Sequence, residues 1–259
     1  MKNKKKMTRI GLLGCGSWGT TLAQILAKKG ETVKAWHYRK DFVDAISESR
    51  VNPLLPDIIL DEKISFHYNI NDVLNSSQIL ILSVPSSAMR ETLKKISNNI
   101  HPEIKIVNTS KGFELKTLMS MSEIILETLN INDGQIITFY GPSHSEEVIK
   151  NLPTAMESAC TNENNSKIIQ NLFSTENLRI YTSKDTRGVE IGGSLKNVIA
   201  IASGICNGIG YGDNANAALI TRGLHEITKL GIAMGAEEQT FYGLSGIGDL
   251  IATCLSTHS

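Results

Sequence analysis

From position 9 to about position 182, apolar residues fall into short runs, and the intervening stretches carry apolar residues at helical spacing. That alternation predicts a parallel sheet with crossover helices, an α/β fold. The expected strands are Arg9 to Leu13, Val33 to Trp36, Gln78 to Val84, Lys105 to Asn108 and Gln135 to Tyr140, rich in Ile, Leu and Val as sheet centres require. The expected helices are Trp18 to Lys28, Asp41 to Ser49, Ser87 to Ile96 and Leu115 to Leu129. Pro85 ends one strand, Asn52 to Pro56 reads as a loop by its prolines, and the polar stretch Thr161 to Ser166 reads as another. After Asp185 the texture changes. Small and apolar residues recur at helical spacing over Val189 to Ile209 and Ala215 to Met234, with no further strand alternation. The expected division is a sheet-containing domain over 1–185 and an all-helical domain over 186–259.

The length of 259 residues fits one large or two moderate domains. With 41% apolar and 20% charged residues the composition is that of soluble globular chains. Lys+Arg and Asp+Glu number 26 each, so no net charge draws the chain to nucleic acid or to an anionic membrane. No run approaches the roughly 18 apolar residues of a membrane span. The opening Met1 to Lys6 has the charge of a secretory leader, but the apolar stretch after it is short and broken by glycine, and Met7 is a second candidate start. Cys15, Cys160, Cys206 and Cys254 are too widely spaced for paired metal ligation or a disulfide framework, which points to a reduced, cytoplasmic setting. The six histidines form no i,i+4 pair, so no metal is expected.

Candidate chemistry begins at Gly14-Cys-Gly16-Ser-Trp-Gly19, which follows the first strand and opens the first helix. In that context Gly14 permits the tight turn, Gly16 lets backbone approach a diphosphate, and Gly19 allows the helix to pack closely on the strand. The helix N-terminal amides then meet the anion. The carboxylate that would bond a ribose 2′-hydroxyl about 20 residues later is missing: Trp36 is followed by His37-Tyr-Arg-Lys40. Arg39 and Lys40 can instead pair with a phosphate, which leans towards NADP or towards use of both NADP and NAD; solvated surface charges are the plainer reading.

Lys111 and Gly112 follow a strand, at the sheet edge where open α/β folds place ligands. Gly141-Pro-Ser-His-Ser145 also follows a strand and reads as a substrate-binding turn rather than a nucleophile elbow, since it lacks the second glycine. In the helical half, Lys196 sits among Ile191, Leu195, Val198 and Ile199, where a half-buried amine can exchange a proton with a substrate oxygen while hydride moves at the adjacent carbon. For alcohol oxidation the amine must be neutral, and reaching half-neutral at pH 7 from an ordinary pKa takes roughly 4.6 kcal/mol. Carbonyl reduction needs only the ammonium. Asp249, if near Lys196, would hold it and raise its pKa, again favouring the proton-donor role. A lysine snorkelling from an amphipathic helix is the alternative. Gly204, Gly208 and Gly212 recur every fourth residue, the spacing of close backbone packing.

These motifs carry a family resemblance. Gly14-Cys-Gly-Ser-Trp-Gly-Thr20, Ser110-Lys-Gly-Phe-Glu114, Gly141-Pro-Ser-His-Ser-Glu-Glu-Val148, Val189-Glu-Ile-Gly-Gly-Ser-Leu-Lys-Asn197, Gly212-Asp-Asn-Ala215, Thr221-Arg-Gly-Leu224 and Gly243-Leu-Ser-Gly-Ile-Gly-Asp-Leu250 run in family order along nearly the whole chain. The sequence resembles the bacterial-type NAD(P)-dependent glycerol-3-phosphate dehydrogenases, which interconvert sn-glycerol 3-phosphate and dihydroxyacetone phosphate.

The resemblance implies a Rossmann-like domain followed by an all-helical domain of the 6-phosphogluconate-dehydrogenase-like kind. It implies Ser17, Trp18 and Ser145 at the cofactor, Tyr38 or Arg39 at the adenosine ribose, and Lys111 at both cofactor and substrate. Gly141, Ser143, Asp249 and Ser259 would line the substrate, and Lys196 would be the catalytic proton carrier. Ser145 stands where alanine is usual, and Tyr38 where a basic residue is common. The family continues past Ser259 with an Arg-Asn pair and several dozen further residues, so the helical domain is expected to be shortened. The implied role is reduction of dihydroxyacetone phosphate for phospholipid precursor synthesis, with a small-molecule substrate, no nucleic-acid partner and pairing as a homodimer. A reductase for another hydroxy acid, and a shortened dinucleotide-binding protein without catalysis, are the other readings.

Overall fold

The computed structural model describes residues 8–75 and 77–256. The chain runs β1 (Arg9–Leu13), α1 (Ser17–Lys28), β2 (Thr32–Trp36), α2 (Lys40–Ser49), a hairpin of β3 (Val51–Asn52) and β4 (Leu55–Ile59), then β5 (Ile64–His67) and α3 (Ile70–Leu74). It continues through β6 (Ile79–Leu82), α4 (Met89–Lys94), β7 (Lys105–Asn108), α5 (Met121–Thr128), β8 (Ile136–Tyr140), α6 (Ser145–Val148), β9 (Thr154–Ala159), α7 (Glu163–Phe173) and β10 (Leu178–Ser183). The last part is α8 (Thr186–Gly208), α9 (Gly212–Ala233) and α10 (Asp249–Leu255).

Eight strands form one sheet in the order β10-β9-β8-β7-β6-β1-β2-β5. The six from β8 to β5 are parallel and follow the doubly wound order, with its reversal point between β1 and β6. Their apolar side chains pack on both faces because helices cover both. Leu12, Leu22, Leu26, Ile81 and Phe173 lie in one core layer, and Leu13, Leu80, Leu82, Met89 and Ile124 in the other. A separate cluster of Ile191, Leu224, Ile227, Phe241 and Leu250 joins the three final helices.

All five expected strands are present, trimmed by a residue or two at several ends. Several expectations need correction. β5, β9 and β10 were not foreseen, and β9 runs antiparallel to β8, so the sheet is mixed. The β9 segment TAMESA has few branched residues, and pairing on both sides overrides its weak strand preference. Asn52 to Pro56 is not a plain loop but the turn of the β3–β4 hairpin. The stretch from Thr161 is not all loop: the Asn162 side chain accepts from the amides of Asn164 and Asn165 and starts α7.

The helix expected from Leu115 begins only at Met121. Leu115 and Leu118 are exposed, Phe113 pairs with Ser120, and a capping box of Ser120 and Glu123 sets the start. Ser87 to Ile96 divides into a short 3-10 turn and α4. Among the described residues nothing lies within 4 Å of a Cβ built on Gly204, Gly208 or Gly212, so their spacing marks no close packing there. α8 is long and apolar enough by composition to cross a bilayer, against the expectation that no run approaches this, although its first half buries Glu190 and Lys196 against protein.

Candidate active site

The β1–α1 turn is built for close approach. Gly14 holds φ +107°, and a Cβ there would lie 2.4 Å from the Ser83 carbonyl at the end of β6. A Cβ on Gly19 would lie 2.1 Å from the Gly14 carbonyl, so α1 rests directly on the turn. Gly16, by contrast, faces open space. That space belongs to a cleft of about 680 Å³ at the carboxyl edge of the sheet, with Gly14, Gly16 and Trp18 along one side, His37 and Tyr38 at one end, and Ser110 towards the other. These features fit a dinucleotide: glycines where a side chain would fill the cradle, helix amides above it, and apolar walls of Trp36, Val84 and Pro85. Cys15 is in the wall but inert, since burial pushes its thiol up to about 12 and it donates to the Trp36 carbonyl at 3.3 Å.

Not every foreseen cofactor residue lines this cleft. Tyr38 does, 64% exposed. Arg39 points its guanidinium at Asp41 at 2.5 Å, and Lys40 bonds Asp44 at 2.7 Å. Ser17 opens α1 and its carbonyl accepts from the Thr21 hydroxyl. Ser145 is buried at the start of α6, outside the cleft lining. Ser259 lies outside the described residues.

Two lysines meet on one carboxylate next to the cleft. Lys196, on α8 and 9% exposed, donates to Asp249 Oδ1 at 2.6 Å and to Thr253 Oγ1 at 2.7 Å. Lys111, one residue beyond cleft-lining Ser110, donates to Asp249 Oδ2 at 2.6 Å and to the Gly141 carbonyl at 3.2 Å. Ser143 Oγ donates to the same carbonyl at 3.1 Å. Lys111, Gly141, Ser143, Lys196 and Asp249 therefore share one bonded cluster, while α10 supplies both Asp249 and, one turn on, Thr253.

The electrostatic outcome corrects one expectation. Asp249 does act to raise the pKa of Lys196, but burial and the Lys111 charge outweigh it and bring the amine down to about 8. The group remains mostly ammonium at neutral pH and is far closer to deprotonation than a solvated lysine.

A second buried network ties the sheet to α8. Glu190 accepts from Ser122 N at 2.8 Å, Ser122 Oγ at 2.5 Å and Asn108 Nδ2 at 3.4 Å, and burial pushes its carboxyl up. Asn108 Nδ2 also reaches Tyr140 Oη at 3.1 Å, and Tyr140 donates to the Ser110 carbonyl. Gly193 leaves room for the Tyr140 ring, since a Cβ there would lie 2.7 Å from Cδ2. This network holds the segments bearing Lys111 and Lys196 in fixed relation. Sequence reading missed Glu190 as well as Thr253. Thr253 was legible as the residue four after Asp249, whereas Glu190 gave no signal beyond a carboxylate in an apolar helix.

A dinucleotide cleft at the sheet's reversal point, joined to a buried lysine from a helical half, defines a two-part nicotinamide-dependent oxidoreductase. Comparison with known proteins gives the particular class. The sequence model of the NAD-dependent glycerol-3-phosphate dehydrogenase N-terminus matches residues 9–166, and that of the C-terminus matches 185–259. Glycerol-3-phosphate dehydrogenase [NAD(P)+] of Fusobacterium nucleatum is 45% identical over 254 residues, covering 98% of this chain and 76% of the relative. That of Prosthecochloris aestuarii is 46% identical over 253 residues, covering 96% and 76%. The crystal structure of glycerol-3-phosphate dehydrogenase from Coxiella burnetii superposes with a TM-score of 0.93 at 36% identity, covering 98% of this chain and 77% of that one. The chain belongs to the NAD-dependent glycerol-3-phosphate dehydrogenase family. It is thus an oxidoreductase of the NAD(P)-dependent kind.

Proposed function

We propose that the chain reduces dihydroxyacetone phosphate to sn-glycerol 3-phosphate, with Lys196 as the proton carrier. The observation that carries this reading is the Lys196–Asp249–Lys111 cluster beside the cleft. When bound, the nicotinamide supplies hydride to the substrate C2. Lys196 then gives a proton to the C2 oxygen as charge develops there, a role for which an ammonium with a pKa near 8 is well matched at neutral pH. Asp249 anchors both ammonium groups, and the Thr253 hydroxyl steers Lys196 from the other side. Lys111 presents the second positive charge to the substrate phosphate and the cofactor. Gly141 and Ser143 line the substrate, and Gly14, Gly16, Ser17, Trp18, Gly19 and Tyr38 make up the cofactor side, while Arg39 and Ser145, expected there from the family resemblance, are not among the residues lining the cleft.

In this reading 1–185 bind the cofactor and 186–259 complete the substrate site. The four buried cysteines support a reducing, cytoplasmic compartment. Exposed Val198, Ile201 and Ile205 along one stripe of α8, with Ile209 just past its end, support pairing as a homodimer, and the balanced charge speaks against a nucleic-acid partner. The deciding experiment follows NADPH absorbance with dihydroxyacetone phosphate for the native chain and Lys196→Ala. A fall of about a hundredfold or more is expected. Equal rates remove Lys196 from the mechanism, and cofactor binding without turnover in the native chain selects the non-catalytic reading.

A further inference from the structure

The cleft does not end at Tyr38. Beyond it lies an adjoining recess of about 440 Å³ lined by Trp36, Tyr38, Tyr68, Asn69, Ile70 and Lys95. It sits past the carboxyl end of β2, where the adenine ribose of a bound dinucleotide presents its 2′ position. No carboxylate lines the recess, and Lys95 is the single formal charge in its wall. Lys95 also lines the main cleft, and its ammonium lies 5.9 Å from the centre of the Trp36 ring, on the final residue of β2.

The other cations near this end of the sheet have partners. Arg39 is bonded to Asp41, and Lys40 to Asp44. Glu91 also lines the main cleft, but its carboxylate bonds Lys94 at 2.8 Å. Among the described residues Lys95 forms no ion pair: the Glu91 carboxylate, one turn back, feels its charge but bonds Lys94, and the Lys95 ammonium rests by the aromatic face of Trp36. A flexible ammonium at the mouth of an uncharged recess is suited to a dianionic group and gives a neutral hydroxyl little.

We propose that Lys95 determines cofactor choice by meeting the 2′-phosphate of NADP(H) in the recess between Trp36 and Tyr68. The cation arrives from the residue that caps α4, away from the segment after β2 where such a residue is ordinarily sought. This extends the dinucleotide reading of the cleft and is independent of which substrate is reduced.

The test needs no substrate. Both tryptophans of the chain, Trp18 and Trp36, line the cleft, so energy transfer to a reduced nicotinamide reports binding. NADPH and NADH are titrated into the native chain, Lys95→Met and Arg39→Met. Lys95→Met is expected to raise the Kd for NADPH about tenfold and to leave that for NADH within about twofold, as loss of one charge-assisted phosphate contact would. The preference for NADPH should also shrink with added salt in the native chain and change little with salt in Lys95→Met. Equal weakening of both cofactors means Lys95 only covers the adenine end and overturns the proposal. A loss of preference confined to Arg39→Met overturns it as well, as does an unchanged ratio. Failure of either cofactor to bind the native chain sinks the inference together with the cleft assignment, whereas binding without turnover sinks only the proposed reaction.

Discussion

Lys196 Nζ lies 2.6 Å from Asp249 Oδ1, a contact that joins α8 to α10 across 53 residues of chain. The other oxygen of that carboxylate is held by Lys111 from the sheet. A single buried anion thus sets the separation of two ammonium groups, and the second ammonium helps to lower the pKa of the first.

The pH dependence of turnover follows from that pKa. Below about 8 Lys196 carries its proton, so carbonyl reduction should be fastest there and should fall as pH rises through about 8. Alcohol oxidation needs the free amine and should rise through the same value. Rates in both directions between about pH 6 and 10 check this, and profiles that move the same way would exclude Lys196 as the group that titrates.

Replacing Asp249 with Asn leaves two buried or half-buried ammonium groups around a neutral amide. The pKa of Lys196 should then drop below its present value, since the one charge that raised it is gone. Folding stability should fall by about 3 kcal/mol, the scale for breaking one side of a buried ion pair. Urea denaturation measures the second effect and the pH profile of residual activity the first. A variant as stable as the native chain would show that the carboxylate is dispensable to the fold.

Glu190 separates charge from hydrogen bonding. In Glu190→Gln the amide oxygen can keep the donors Ser122 N and Asn108 Nδ2, while the Ser122 hydroxyl reverses to accept. That variant should lie within about 1 kcal/mol of the native chain, whereas Glu190→Leu strands the donors and should lose at least about 3 kcal/mol. Chemical denaturation of both variants decides it. Equal losses would assign the network's value to the charge.

The glycines of the first turn divide by cause. Gly19→Ala places a methyl 2.1 Å from the Gly14 carbonyl, so the turn must move and the melting temperature should fall by several degrees. Gly16→Ala meets no protein atom within 4 Å and should fold normally. It should nonetheless weaken NADPH binding about tenfold or more, because its methyl enters the space where the diphosphate approaches. Paired thermal melts and cofactor titrations test the distinction, and a Gly16→Ala chain that binds normally would move the diphosphate elsewhere.

Much of this architecture was legible because strands such as Lys105–Asn108 are buried on both faces and spell out continuous apolar runs. β9 was not, because its small and polar residues are held by neighbours on both sides that only the folded chain supplies. Lys111, Lys196 and Asp249 were readable as motif residues, but their meeting on one carboxylate is a long-range fact. Their separations of 138 and 53 residues leave no periodic trace. The upward pull of Asp249 on Lys196 was read correctly, but the net fall of the pKa was not legible for a related reason. Its largest cause, burial, comes from packing of distant elements, whereas the attraction of Asp249 could be reasoned from charge alone.

The reversal at β9 has a consequence for where the amine arrives. Ser183 pairs with Ala159, and Ala159 with Thr138, so β10 delivers the chain level with the middle of β8 rather than beyond its carboxyl end. From Thr186 to Lys196 the helix then climbs about 15 Å, at roughly 1.5 Å per residue, before it reaches the level of Gly141. Without the two inverted strands the chain would leave at the cleft itself, and ten residues of helix would carry the ammonium away from it. The topology works as a measured ramp, and an insertion or deletion of one residue between Thr186 and Lys196 would swing that ammonium about 100° around the helix axis and out of reach of the carboxylate.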